Sequence, residues 1–81
     1  MIIQYHERFK ENLRQFPQNI QEKFYKQAGF LLRDIRHPSL RVKKYNEADD
    51  VWQARVDKNI RFYFRIQRET YFLLDIKNHP K

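Results

Sequence analysis

Between residues 51 and 66 the chain reads V-W-Q-A-R-V-D-K-N-I-R-F-Y-F-R-I, with Trp52, Ala54, Val56, Ile60, Phe62 and Phe64 at even positions and Arg55, Arg61, Tyr63 and Arg65 at odd ones. Successive side chains of a strand point to opposite faces, so this parity predicts two strands joined at Asp57-Lys58-Asn59 that bury the even set and present the odd set. A two-residue loop would set Val56 against Arg61 and mix the faces. A three-residue loop pairs Val56 with Ile60, Ala54 with Phe62 and Arg55 with Arg61, and is the one expected. Asn59 then takes the left-handed position that a glycine often fills. Two arginines directly opposite one another repel unless an anion lies between them, which is a first pointer to a phosphate ligand.

The rest of the chain divides by period. Ile2, Ile3 and Tyr5 form a short first strand; from Glu7 onward Phe9, Leu13 and Phe16 follow a helical spacing that Pro17 ends. Ile20, Phe24, Ala28, Leu31, Leu32 and Ile35 then mark one apolar stripe on a helix spanning 18–36, joined to the first as a helical hairpin. The single glycine, Gly29, lies inside it at a cost of about 1 kcal/mol against alanine, so close packing on a neighbour is expected there. His37-Pro38-Ser39 stops the helix. Residues 40–50 read as a polar connection that begins basic and ends acidic. In 70–77, T-Y-F-L-L-D-I-K, apolar residues occupy both parities, the pattern of a strand covered on both faces inside the sheet. The order strand, helix, helix, strand, strand, strand predicts an α+β domain over 1–81, its helical hairpin packed on one face of a small antiparallel sheet. The odd-numbered face of the central hairpin is left open.

Eighty-one residues suffice for one modest core, burying about 60 to 65% of the unfolded surface. Seventeen Lys and Arg against ten Asp and Glu leave a net charge of +7, which favours RNA, DNA or an acidic protein as partner. The absence of cysteine removes disulfide and thiol chemistry. With neither a leader pattern at the amino terminus nor a run of membrane-spanning length, a cytoplasmic protein is expected.

Candidate chemistry concentrates on the odd face. Arg55, Arg61 and Arg65, with Lys43 and Lys44 on the adjoining loop, make a concave basic surface suited to a phosphate backbone; the plainer alternative is a solvated sheet face. Tyr63 can stack on a base or simply cover its neighbours. His79 ends a strand whose neighbour carries Arg61, and an imidazole beside a phosphate-binding arginine can act as general acid or base; otherwise it is a frayed terminal residue. His37 reads as a helix-ending residue and His6 as a strand-end residue. Glu47, Asp49 and Asp50 could include a general base or bind Mg²⁺ weakly, although solvation of a loop explains them too. The three histidines lack metal-ligand spacing, and no metal or other cofactor is expected. Phe9, Phe16, Phe24, Phe62, Phe64 and Trp52 fall on the apolar faces and read as core. There is no nucleophile elbow, phosphate-binding glycine loop or paired catalytic carboxylate. An RNA-recognition-motif fold is disfavoured, because 67–70 has room only for a turn where that fold needs a helix.

In order and spacing, F-K-E-N-L-R-Q-F-P, H-P-S-L-R-V-K-K, V-W-Q-A-R-V, I-R-F-Y-F-R-I and F-L-L-D-I-K-N-H resemble the RelE/ParE superfamily of toxin–antitoxin toxins over nearly the full length. The resemblance implies the layout above and an acidic antitoxin that wraps the toxin in a hetero-oligomer. Its RelE-like branch implies a metal-independent endoribonuclease that cuts mRNA on the ribosome, the 2′-hydroxyl attacking the adjacent phosphate. By position, Arg61 corresponds to the phosphate-stabilising arginine and His79 to the histidine near the carboxyl end. Arg41, Lys43 and Lys44 correspond to RNA-contacting loop residues, and Glu47 to an acidic residue that some members use as base. Arg55, Tyr63 and Arg65 complete the expected RNA surface. Two features depart from the pattern: only two residues follow His79, without the tyrosine many members carry there, and Asn46 stands where glycine is usual. The ParE-like branch implies a different action, poisoning of DNA gyrase without RNA cleavage.

Overall fold

The computed structural model describes residues 1–79. Its elements are β1 (Ile2–Tyr5), α1 (Glu7–Arg14), α2 (Gln18–Arg33), β2 (Lys43–Asn46), β3 (Val51–Arg55), β4 (Ile60–Gln67) and β5 (Thr70–Asn78). His6 turns the first strand into the first helix: its Nδ1 accepts the Arg8 N–H at 3.1 Å, satisfying one of the free donors of the opening turn. Pro17 caps the second helix, and Gln21 Nε2 donates to the Phe16 carbonyl at 2.9 Å, closing the short connection between the pair.

The apolar stripe of α2 is buried at Ile20, Phe24, Ala28 and Leu31, but the helix stops three residues before the expected 36. Asp34 is extended (φ −162°, ψ 106°), and its carboxylate accepts the Arg36 N–H at 2.9 Å, a local bond that competes with helix continuation. Leu32, counted in the stripe, is 45% exposed. Gly29 has no packing partner either, since a Cβ built there meets nothing within 4 Å. Gly29→Ala is therefore expected to stabilise the protein by about 1 kcal/mol, raising the melting temperature by roughly 4–8 °C in a scanning calorimeter. A lower melting temperature would show that the helix needs glycine for some other reason.

The sheet has five strands in the order β1-β5-β4-β3-β2 and is mixed, because β1 pairs with β5 in parallel while the other pairings are antiparallel. Two expectations are corrected here: the sheet is not wholly antiparallel, and residues 43–46 of the polar connection form an edge strand. K-K-Y-N carries no apolar alternation, because an edge strand needs to bury little; Lys43 faces Gln53 and Lys44 faces Trp52 before the register shifts. Leu40, in the same connection, is fully buried, and its carbonyl accepts the Arg55 N–H at 2.7 Å.

In the central hairpin Ala54 pairs with Phe62 and Arg55 with Arg61, and the Val56 N–H donates to the Ile60 carbonyl at 2.9 Å, the register that parity requires. The turn chemistry differs from expectation. Asn59 does not have a positive φ; instead the Asp57 carboxylate accepts the N–H groups of Asn59 at 2.9 Å and Ile60 at 3.0 Å. Among the described residues the left-handed positions are Arg41, Asp50 and Arg68.

Strand β5 lies inside the sheet as expected, for another reason. Tyr63 pairs with Asp75 but Phe64 with Leu73, so Leu74 is an extra residue and the inward parity switches there. Tyr71 and Leu73 before the bulge and Ile76 after it are all buried. The helical pair covers the even face of the hairpin, where Phe24 meets Phe62 edge-on at 5.4 Å and Phe9 at 5.0 Å. Among the described residues no helix is long and apolar enough to cross a membrane.

A candidate phosphate-binding cleft

On the opposite, odd-numbered face, the end of the hairpin carries a cleft of about 230 Å³ lined by Arg41, Lys43, Gln53, Arg55, Arg61 and His79. Four elements deliver these groups. The hairpin places Arg55 and Arg61 side by side through their cross-strand pairing. The edge segment leading into β2 brings Arg41 and Lys43, and His79 follows β5, its N–H donating to the Asn59 carbonyl in the hairpin turn at 2.7 Å.

The two facing arginines are held by the hairpin itself. Arg61 Nη1 donates to the carbonyls of Asp57 at 2.9 Å, Ile60 at 3.2 Å and Lys58 at 3.4 Å, and Arg55 Nε donates to the same Asp57 carbonyl at 3.1 Å. Backbone dipoles thus offset part of the like-charge repulsion. A guanidinium has five N–H donors, so each arginine retains donors for an anion in the cleft. Among the described residues no carboxylate lines it.

Other residues proposed from sequence lie elsewhere. Lys44 turns to the inner side, its Nζ 4.3 Å from the centre of the Trp52 ring and hydrogen-bonded to Asp50. Glu47 is exposed on the β2–β3 turn, with its carboxylate 3.9 Å from the Lys44 ammonium, and does not reach the cleft. Arg65 Nε donates to the Asp49 carbonyl at 3.1 Å and lines a separate hollow with His6, Arg8 and Leu74. Tyr63 shares the face of Arg61 yet is buried, its ring 4.8 Å from Tyr45 and 5.1 Å from the Lys77 ammonium. The open face expected from parity is thus covered at Tyr63 and at Gln53.

Gln27 was not among the candidates, yet it ties the cleft to the helices. Its Nε2 donates to the carbonyls of Arg55 at 2.8 Å and Ser39 at 3.2 Å, while the Ser39 hydroxyl donates to its Oε1 at 3.2 Å. The available signal was a polar residue seven positions after Ile20 on the apolar stripe of α2.

Burial raises the Tyr63 phenol above its usual value, with Tyr45 and Asp75 adding to the shift and Arg61 opposing it. Burial likewise raises Tyr5, helped by Tyr25, and Tyr71, helped by Asp34. In the unfolded chain these phenols ionise near pH 10, where they still hold their protons in the folded protein. Stability is therefore expected to be independent of these groups below about pH 10 and to fall as pH rises beyond it. Tyr63→Phe should move the alkaline unfolding midpoint, followed by circular dichroism, to higher pH; an unchanged midpoint would remove Tyr63 from the linkage.

No family model matches the sequence, and no curated protein matches it. Solved structures do. A YoeB/ParE toxin from Agrobacterium tumefaciens superposes with a TM-score of 0.81 at 12% identity, covering 99% of this chain and 100% of that one. A YoeB dimer from Staphylococcus aureus gives 0.80 at 14% identity over 99% and 98% of the two chains. The archaeal RelE–RelB complex from Pyrococcus horikoshii gives 0.79 at 15% identity over 99% and 94%. Similarity at this level of identity rests on the backbone: the chain has the fold of the RelE and ParE toxins.

Proposed function

We propose that the protein is the toxin of a type II toxin–antitoxin pair and acts as a metal-independent endoribonuclease, cutting translated mRNA on the ribosome and so inhibiting translation. The observation that carries this reading is the convergence of Arg41, Lys43, Arg55, Arg61 and His79 on one cleft. The reaction joins the 2′-oxygen of one ribose to the adjacent phosphorus and breaks the bond to the 5′-oxygen, leaving a cyclic phosphate and a 5′-hydroxyl. Negative charge grows on the phosphoryl oxygens during the attack, and donors already fixed in place stabilise it most effectively. Arg61 and Arg55, held by the turn carbonyls, fill that role, and Arg41 and Lys43 position the flanking phosphates. His79 carries the proton that the 2′-hydroxyl releases or the leaving 5′-oxygen takes up. Glu47 has no part in this cleft.

A net charge of +7 and an exposed cationic cleft also suit an acidic antitoxin in a hetero-oligomer in the cytoplasm, and the superposable structures include toxin–antitoxin complexes from Pyrococcus horikoshii and Staphylococcus aureus. The test is to induce the protein in a bacterium without an antitoxin and map mRNA 5′ ends by primer extension. New ends inside translated regions are expected. Growth arrest without them would turn the reading to a protein target such as gyrase, and normal growth would remove the toxin assignment.

A further inference from the structure

Behind the cationic cleft, on the other face of the β2–β3 edge, a second cavity of about 390 Å³ opens below the end of α2. Its apolar walls are Ile35, Pro38, Val42 and Trp52, and Arg36, His37 and Arg41 supply its polar groups. Neighbouring residues serve the two cavities: Val42 and Trp52 line this one, Lys43 and Gln53 line the cleft, and Arg41 lines both. Arg41 thus stands where the two cavities adjoin.

Two of the walls, Trp52 and His37, are flat rings. The His37 imidazole stacks on Phe30 with centres 3.9 Å apart and planes 6° from parallel. The Ser39 N–H donates to His37 Nδ1 at 3.2 Å, so the neutral ring carries its hydrogen on Nε2 and offers a donor. Arg36 and Arg41 are donors as well, so the polar side of the cavity asks for acceptors while the rest asks for apolar surface. A nucleobase meets both demands, and guanine does so best, because its O6 and N7 form a pair of adjacent acceptors that an arginine can engage together. A carboxylate alone would satisfy the arginines and leave the apolar walls bare.

We propose that this cavity is a nucleobase site that receives a guanine of the same RNA strand whose phosphates occupy the cationic cleft. The proposal rests on the RNA-binding reading above and adds a source of sequence preference to it. Trp52 is the sole tryptophan of the chain and lines the cavity, so its fluorescence reports occupancy directly.

The full chain, made by chemical synthesis, is titrated with fluorescein-labelled hexauridylates whose 2′-hydroxyls are replaced by fluorine to prevent cleavage. One position at a time is changed to guanine, adenine or an abasic sugar. Anisotropy reads total binding and Trp52 emission reads the cavity. At one position guanine is expected to quench Trp52 and to bind about tenfold tighter than the abasic oligomer, with adenine between them. Val42→Glu and Arg36→Gln are each expected to remove the guanine preference while leaving abasic binding unchanged, provided both variants retain the wild-type circular dichroism spectrum. Binding with no base preference at any position and no quenching would overturn the nucleobase site and leave the RNA-binding reading standing. Failure of every oligomer to bind would overturn both. Quenching by a tryptophan-free acidic peptide in place of RNA would assign the cavity to a protein partner and overturn the proposal.

Discussion

If the protein cleaves RNA as proposed, Arg61→Ala is expected to lower that cleavage by about 100- to 1,000-fold, the usual consequence of removing one fixed donor from a developing oxyanion. The size of the effect follows from how the guanidinium is held. Three turn carbonyls fix Nη1, so the remaining N–H groups face the cleft without a conformational search when the phosphate arrives. Arg55 cannot substitute fully, because its Nε is committed to the Asp57 carbonyl and its strand position is across from the lost group. Folding should survive. Arg61 is half-buried at the turn, the carbonyls it leaves can turn to water, and its removal ends a direct repulsion with Arg55. The melting temperature should therefore change by no more than the equivalent of about 1 kcal/mol. Arg61→Lys keeps the charge but loses the planar fork and should fall between the two. Single-turnover cleavage, a thermal melt and a binding assay with an acidic antitoxin separate these effects. Undiminished cleavage by the alanine variant would exclude Arg61 from the chemistry.

The hairpin register was legible because period two leaves few alternatives: a shift of one residue would have put Arg55 and Arg61 into the core. The helices were legible from their own period, α1 burying Phe9 and Leu13 and α2 a longer stripe. What escaped was decided by contacts that no periodicity encodes. Strand β2 pairs through its backbone and needs no apolar side chains. The bulge at Leu74 moved the inward positions of β5 from odd to even, which on a single sequence looks like coverage of both faces. A side-chain bond from Asp57 shaped the turn that was assigned to a left-handed Asn59. Within the site, Arg55 and Arg61 followed from parity. The nearness of His79 depended on β5 lying beside β4, which the hairpin logic supplied. Lys44 was misplaced because adjacent residues on an unrecognised strand point to opposite faces, so Lys43 and Lys44 could not both reach the cleft. Gln27 interrupts the apolar face of α2, and a buried amide needs partners and so advertises a network.

Phe24→Ala should abolish the proposed cleavage by a route opposite to that of Arg61→Ala. Phe24 is fully buried at the centre of an aromatic cluster, with ring centres 5.0 Å from Phe9, 5.4 Å from Phe62 and 6.3 Å from Tyr5. Those partners belong to α1, β4 and β1, so one ring joins both helices to the sheet. Truncation removes the transfer energy of the ring and leaves a cavity that three rigid neighbours cannot close, at a cost of about 3–5 kcal/mol. A domain of this length holds only about 4–12 kcal/mol in total. The variant is therefore expected to lose much or all of its folded population, a deficit that the gain of about 1 kcal/mol from Gly29→Ala cannot restore. With a urea slope near 1 kcal/mol per molar for a small protein, the midpoint should fall by about 3 M or more. Phe24→Leu keeps most of the volume and should fall much less. A small midpoint shift for the alanine variant would mean that Phe9 and Phe62 close over the gap, and that the helical pair is held to the sheet chiefly by Leu13, Ile20 and Leu31. Loss of cleavage together with loss of the folded spectrum in Phe24→Ala, against loss of cleavage with the spectrum retained in Arg61→Ala, separates the side chain that supports the cleft from the one that acts within it.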